Sequence, residues 1–544
     1  MRRTLTVACV AAVTVAAAGG WLPAGAQDRT EVPDVPAPPP LAGVTEPDVG
    51  ARPGMRPAAD GAVRLTLAAA LSTALTSSPT LEVEQYLPLV ARTAIPEAWA
   101  VFDPQLAAGA AYRDATNQLS AVQSFTFRPD DDGGDGQDPA AAPRRLERQS
   151  FDLSATASTL FPTGTRLALS GLLTSSETNF TPREYEGSWS LELRQSLLEG
   201  FGREVNLVAV RQSANRAVGS EWQLRRAVLE VVAAVETAYW ELVLAQEVVD
   251  IREFGVRLAS EQLALNRDLV DTGRAVDSAV LSASAEQASR RADLAEAEGD
   301  VRALSATLTR LLGAGSAAPG ERYAAVDEPD VERVAVDAER SVQLALELRP
   351  ELYRDRAALA NRDLEVIAAR DLLEPRLDLS AGYGRSSLGP SLADAGEHLI
   401  DDSPFDTWWL GVVLDLPLSR RGDRARLERA TLTRLQAAAV LDDTASRVTE
   451  EVRRAAIDVE TQWLRVEATR EAVEGRREEL RIERDRYQVG MSRNLDVLLV
   501  QRLLIQAEVD AAAARVDFLQ ALTELYRAEG TLLERRRIVV AGTR

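Results

Sequence analysis

The chain has 544 residues, with 62 basic side chains, all of them arginine, against 83 acidic ones and a formal charge of −21. That sign excludes a general nucleic-acid binder, which must neutralise phosphates. With no lysine, one histidine (His398) and one cysteine (Cys9), a phosphate-binding P-loop, a Schiff-base lysine and histidine- or thiol-based catalysis lack their central residues, and no cofactor or metal set is indicated.

The chain opens Met1-Arg2-Arg3, continues through an apolar run from Leu5 to Ala18 and reaches Ala24-Gly25-Ala26. This is the pattern of a cleaved secretory signal over residues 1–26. Its removal takes Cys9, Arg2 and Arg3, leaving a thiol-free chain of charge −23. Residues 27–63 are rich in Pro, Ala, Gly and Asp without periodicity and read as a flexible leader. No later stretch approaches the ~18 to 20 uncharged apolar residues of a membrane-spanning helix, so any span must be a β-barrel.

Two segments share one order of signals. Ala74-Leu75, Pro79, Leu81, Ala98, Pro104, Leu106 and Tyr112 recur 271 residues later as Ala345-Leu346, Pro350, Leu352, Ala369, Pro375, Leu377 and Tyr383. The offset falls to 219 at Trp189/Trp408 and Leu191/Leu410, and to 217 at Gly273/Gly490. A fixed offset marks an internal duplication, here with repeats over 64–313 and 341–534, a connecting segment 314–340 and a tail 535–544. The first repeat carries 52 extra residues within 113–188. Inside them, Asp130 to Gly136 reads as an exposed loop tip, and Phe151 to Leu160 with Leu167-Ala168-Leu169 reads as an extended hairpin on the outer side.

In each repeat a helical pattern, Leu65 to Ala100 or Ser341 to Leu373, stops at a proline. Alternating runs follow at Gln105 to Tyr112 and Arg376 to Tyr383, then at Ser188 to Leu193 and Thr407 to Leu416, giving four principal strands per chain. His398, among the polar residues and turn formers from Asp394 to Pro404, reads as a surface-loop residue. Long helical patterns come next, Gly200 to about Leu269 and Gly422 to about Tyr487. At ~1.5 Å per residue each spans about 100 Å, so these helices must project into water. Glycines 273 and 490 turn the chain into returning helices, Leu281 to Leu312 and Leu495 to Leu533, making two antiparallel hairpins. Such hairpins alone fit a soluble spacer equally well, but duplicated strand pairs in an exported chain argue for a membrane wall. Four strands cannot close a barrel, so subunits must share one.

Tyr487-Gln488-Val489-Gly490 with Asn494-Leu495-Asp496-Val497-Leu498, Phe102-Asp103-Pro104, the tract Gln195 to Gly202 and the duplication together resemble the TolC-type outer membrane efflux family over nearly the whole mature chain. The resemblance implies an α+β membrane protein: a homotrimer whose 12-stranded transmembrane barrel, four strands per chain, continues as a periplasmic helical barrel. It implies outer-membrane lipid, a periplasmic adaptor and an inner-membrane pump as partners, and passive conduction of cargo outward. By the same resemblance Thr272, Gly273, Val489 and Gly490 would meet the adaptor, Asp496 would form an acidic periplasmic gate and Tyr487 would help hold it closed. Leu499 and Ala279 stand where the family has further aspartates, with Asp277 nearby, so the gate is weakened or displaced. Asp496 also fits a helix cap, Tyr487 packing within its own hairpin, the glycines a plain turn, and Arg484, Arg486 and Arg493 either a reversible latch or solubility. The rival readings are a periplasm-spanning spacer or pump adaptor, and, more distantly, a secreted enzyme; two hairpins without a lipoyl-like segment and acids spread along helical faces weigh against them.

Overall fold

The computed structural model describes residues 62–118, 145–313, 322–400 and 405–538, with backbone only at 62, 396–398 and 400. The signal, most of the leader, the Asp130 to Gly136 run and the last tail residues lie outside them. The chain divides into two compact units, one containing Thr93–Ala214 and Ala360–Leu435, the other Asn215–Leu359 and Gln436–Arg544 with the segment up to Arg92.

The first unit holds a six-stranded antiparallel meander of β2 (Gln105–Gln118), β3 (Arg145–Leu160), β4 (Thr165–Thr178), β5 (Glu184–Ser196), β7 (Arg376–Gly389) and β8 (Asp406–Asp415), in that order. Six strands replace the four expected. The segment read as an outer hairpin supplies β3 and β4, which are hydrogen-bonded into the sheet between β2 and β5. The physical reason lies in the alternation of those two strands, which matches their neighbours face for face and lets the ladder run on without an unpaired edge. A short helix, α9 (Leu392–Ile400), packs near β5 and β7, so His398 has a helical backbone rather than the loop expected.

The second unit is helical around a two-stranded parallel pair, β1 (Ala62–Leu65) and β6 (Arg322–Ala325). The expected entry helices are each broken by a proline. Helix α1 (Leu67–Ser77) stops before α2 (Pro79–Glu84) and α3 (Tyr86–Trp99), and α7 (Ala338–Leu348) stops before α8 (Pro350–Asp371). Ser78 and Arg349, the residues ahead of the prolines, are extended with ψ of 123° and 122°, because a following proline ring disfavours the helical region. The long helices are α5 (Val208–Asp271), α6 (Asp277–Leu312), α10 (Arg421–Gln488) and α11 (Asn494–Glu529), with a one-turn α4 (Arg203–Asn206) ahead of α5 and α12 (Leu532–Arg535) closing the chain.

Three apolar clusters hold the helices. One gathers Leu65, Tyr239, Leu308, Leu312, Tyr323 and Leu532; a second gathers Val452, Val459, Phe518 and Leu525; a third gathers Leu258, Leu480, Leu504 and Ile505. Each such buried side chain is worth about 1.5–3 kcal/mol. Buried Glu236 accepts from Thr523 at 2.8 Å and pairs with Arg536, which fastens the segment after α12.

Candidate functional site

Register sorts the sheet's side chains into two unlike faces. One row runs Leu106, Ala157, Leu169, Leu191, Tyr383, Trp408, each residue directly opposite the next. One residue along, Ala107, Thr156, Ser170, Ser190, Gly384 and Thr407 form the matching row on the other face. The first face adds Leu153, Leu167, Leu193, Leu379, Val412 and Leu414, and it carries aromatics: Tyr112 lies opposite Phe151, Tyr383 opposite Trp408, and Trp189 meets Tyr383 edge-on at 5.7 Å. Trp408 is 75% exposed and Leu410 67%. Apolar side chains and aromatics on one face, with hydroxyls and glycines on the other, are what lipid outside and water inside require.

At its β5 end the sheet meets the first helices through glycines. Gly164 has φ of +84°, and a Cβ there would lie 2.3 Å from the Gly200 carbonyl. The Gly200 N–H donates to Asp371 at 2.9 Å. Burial, with Asp371 beside it, pushes the Glu199 carboxyl up, and burial does the same to Asp371.

Where the long helices turn back, at 272–276 and 489–493, both turns have one geometry. Gly273 and Gly490 have φ of +70° and +77°; Arg274 N–H donates to the Leu269 carbonyl at 2.7 Å and Met491 N–H to that of Arg486 at 2.8 Å. Among the described residues nothing lies within 4 Å of a Cβ built on either glycine, so the backbone conformation alone demands glycine. Thr272, Gly273, Val489 and Gly490 are exposed. Asp496 accepts from Arg493 N–H at 3.2 Å in a capping arrangement at the start of α11, and Asp277 stands in the first turn of α6.

Tyr487 reaches across to the other hairpin of its own chain, donating to Asn266 Oδ1 at 2.7 Å; its burial raises the phenol pKa. Asn266 belongs to a buried amide cluster. Gln262 donates to Asn266 Oδ1 at 3.1 Å and to Asn494 Oδ1 at 3.0 Å, Asn266 Nδ2 donates to Asn494 Oδ1 at 2.9 Å and the Ala279 carbonyl at 3.1 Å, and Asn494 Nδ2 donates to Ser282 at 2.9 Å. Gln262, Asn266 and Asn494 are 3%, 0% and 8% exposed. Four helices thus meet on uncharged hydrogen bonds beside a groove of about 720 Å³, whose lining includes Tyr487, Gly490, Arg274 and Arg493 but neither Asp277 nor Asp496. Sequence reading found Tyr487 and missed Gln262 and Asn266. Their spacing of four on one helix was the available signal.

A sheet with a lipid face, continued in sequence by long water-exposed hairpins, defines an outer-membrane channel with a helical periplasmic part. The sequence profile of the outer membrane efflux protein family matches residues 138–314 and 341–531, and the chain belongs to that family. It is 27% identical over 361 residues to the alkaline protease secretion protein AprF of Pseudomonas aeruginosa, covering 65% of this chain and 71% of that one. It is 25% identical over 334 residues to a probable efflux pump outer membrane protein, TtgC, of Pseudomonas putida, covering 61% and 66%. Among solved structures, the outer membrane protein VceC of Vibrio cholerae shares the fold at a TM-score of 0.59 and 18% identity, over 85% of this chain and 96% of that one. The protein is therefore an outer-membrane channel of the efflux and type I secretion class.

Proposed function

We propose that three copies build one passive duct, fed at its periplasmic tip by an adaptor that joins it to an inner-membrane pump. The observation that carries this is the pair of open edges. Among the described residues, strands β2 and β8 each pair on one side only, in a sheet whose apolar face fits lipid, and a free edge is not tolerated there. Residues 1–26 act as the export signal, and the repeats 64–313 and 341–534 descend from one unit. Their breaks at Pro79 and Pro350 and their turns at Gly273 and Gly490 agree with that origin.

The exposed tips at Thr272, Gly273, Val489 and Gly490 receive the adaptor. Asp496, with Asp277, sets the charge of the periplasmic entrance, and Tyr487 holds it narrow. Symmetry-related carboxylates at such a constriction favour cations. The test is single-channel current from the detergent-purified protein in a planar bilayer, wild type against Asp496→Asn, which removes the charge and keeps a capping oxygen. Discrete cation-preferring openings, with reduced preference in the variant, are expected. Unchanged selectivity would remove Asp496 from the gate, and silent membranes from inserted wild-type protein would favour a spacer.

A further inference from the structure

We infer that the wall of this duct has eighteen strands rather than twelve, and that its wider, hydroxyl-lined lumen suits a hydrated, extended polymer such as an unfolded polypeptide. The inference rests on the duct reading above. Each chain brings six strands in unbroken antiparallel order, and three sixes make eighteen. An even meander also leaves β2 and β8 running in opposite directions, so the β8 edge of one copy meets the β2 edge of the next antiparallel, as a closed up-and-down barrel requires. The extra pair cannot be an appendage. Strand β3 is bonded along its length to both β2 and β4, and β4 to both β3 and β5, so lifting the pair out would strip two ladders and leave the row from Leu106 to Trp408 interrupted.

Barrel diameter grows roughly in proportion to strand number, and barrels of about 16–18 strands leave an aqueous channel where small ones are filled by side chains. Eighteen strands give a lumen about half again as wide as twelve. The inner face of the inserted strands is polar and mostly small, with Ser154, Thr156 and Ser158 on β3 and Ser170 and Thr174 on β4, continued by Ser188 and Ser190 on β5; Arg148, Asp152 and Arg166 add charge to it. Thr156 donates to Ser170 Oγ at 3.3 Å, placing both hydroxyls on that face. Such a wall offers water and hydrogen bonds to a passing backbone and few apolar surfaces to hold it. The larger apolar residues on the lumen face, Leu146, Leu160, Leu172, Leu388, Trp409 and Val413, are spread over four strands, and Trp409 lies close over Gly382, where a Cβ would clash with its ring.

The test is cryo-electron microscopy of the full-length protein in lipid nanodiscs, counting strands per chain and chains per lumen. Six strands per chain around one lumen shared by three copies are expected. Four per chain, with β3 and β4 outside the wall, would overturn the inference and leave the duct reading standing; sheets that enclose no common lumen would overturn both. A second arm labels Ser190→Cys from the outer side with maleimide polymers of rising mass, against the same substitution in a variant whose residues 119–184 are replaced by Asn-Gly, a length that keeps the lipid faces of β2 and β5 in register. A clearly larger mass cut-off in the full-length protein is expected, and equal cut-offs count against the wider lumen. If the shortened variant fails to insert, the strand count still decides.

Discussion

Strand β8 leaves nine of its ten residues exposed, Trp408 and Leu410 among them, whereas the helix tip buries three amides and satisfies them with its own chain. The sheet is a surface waiting for solvent and neighbours of the right kind, and its specification is repetitive: any apolar side chain outside, any small polar one inside. The tip is a finished contact in which each donor has a named acceptor. Changes in the sheet should therefore depend on face rather than on position, and changes at the tip on position rather than on chemistry class.

The strongest way to break the comparison is a charge on the lipid face. Leu410→Arg or Leu193→Arg should cost about 2–4 kcal/mol near the middle of the apolar band, read as a lower urea midpoint for the protein in bilayers. Ser190→Arg, one row away on the other face, should fold nearly as the wild type and alter ion conduction instead. Equal losses on both faces would sink the assignment of lipid and lumen.

Next in size is the amide cluster. Asn266→Leu leaves Gln262, the Tyr487 hydroxyl, Asn494 and the Ala279 carbonyl short of partners, and a buried unsatisfied group costs about 1–3 kcal/mol. Faster amide exchange is expected at the ends of α5 and α6, with little change in the sheet. Combined with Asn494→Ala the losses should fall well short of additive, because both substitutions empty one network.

The two regions were also unequally legible. Alternation in Gln105 to Tyr112 and Arg376 to Tyr383 gave strands, Gly273 and Gly490 gave the turns, and the unbroken Ala- and Leu-rich tracts gave the long helices nearly to their ends. The insertion was misplaced because its strand pattern was visible but its pairing partners, on β2 and β5, were not; register is a property of neighbours. The breaks at Ser78 and Arg349 were written in the following prolines, and the helical periodicity on either side masked them. The amide cluster joins residues up to 232 positions apart, and no local pattern announces such a meeting. Asp496 was legible both as gate and as cap, and only the cap leaves a mark within one chain.

The smallest effect separates two carboxylates by the sign of their pH dependence. Glu199, near the end of the sheet, has its carboxyl raised by burial and by Asp371 against the pull of Arg376. The folded chain therefore holds that proton more tightly than the unfolded one, and stability falls as pH rises from the ordinary carboxylate range through the raised value. Glu451, among the helices, is the reverse. Burial would raise it, but Arg349 at 2.9 Å and Arg527 hold it below the usual range, so its contribution is present above the unfolded value and is lost as pH falls through the folded one. Glu199→Gln should accordingly leave stability near pH 4 almost unchanged and raise it slightly near pH 7. Glu451→Gln should lower stability near pH 7, and its cost should shrink on acidification. Thermal midpoints of the purified protein across that range measure both. Parallel shifts of the two variants would show that the sheet's end and the helical body treat a carboxylate alike, and the electrostatic contrast between them would then be lost.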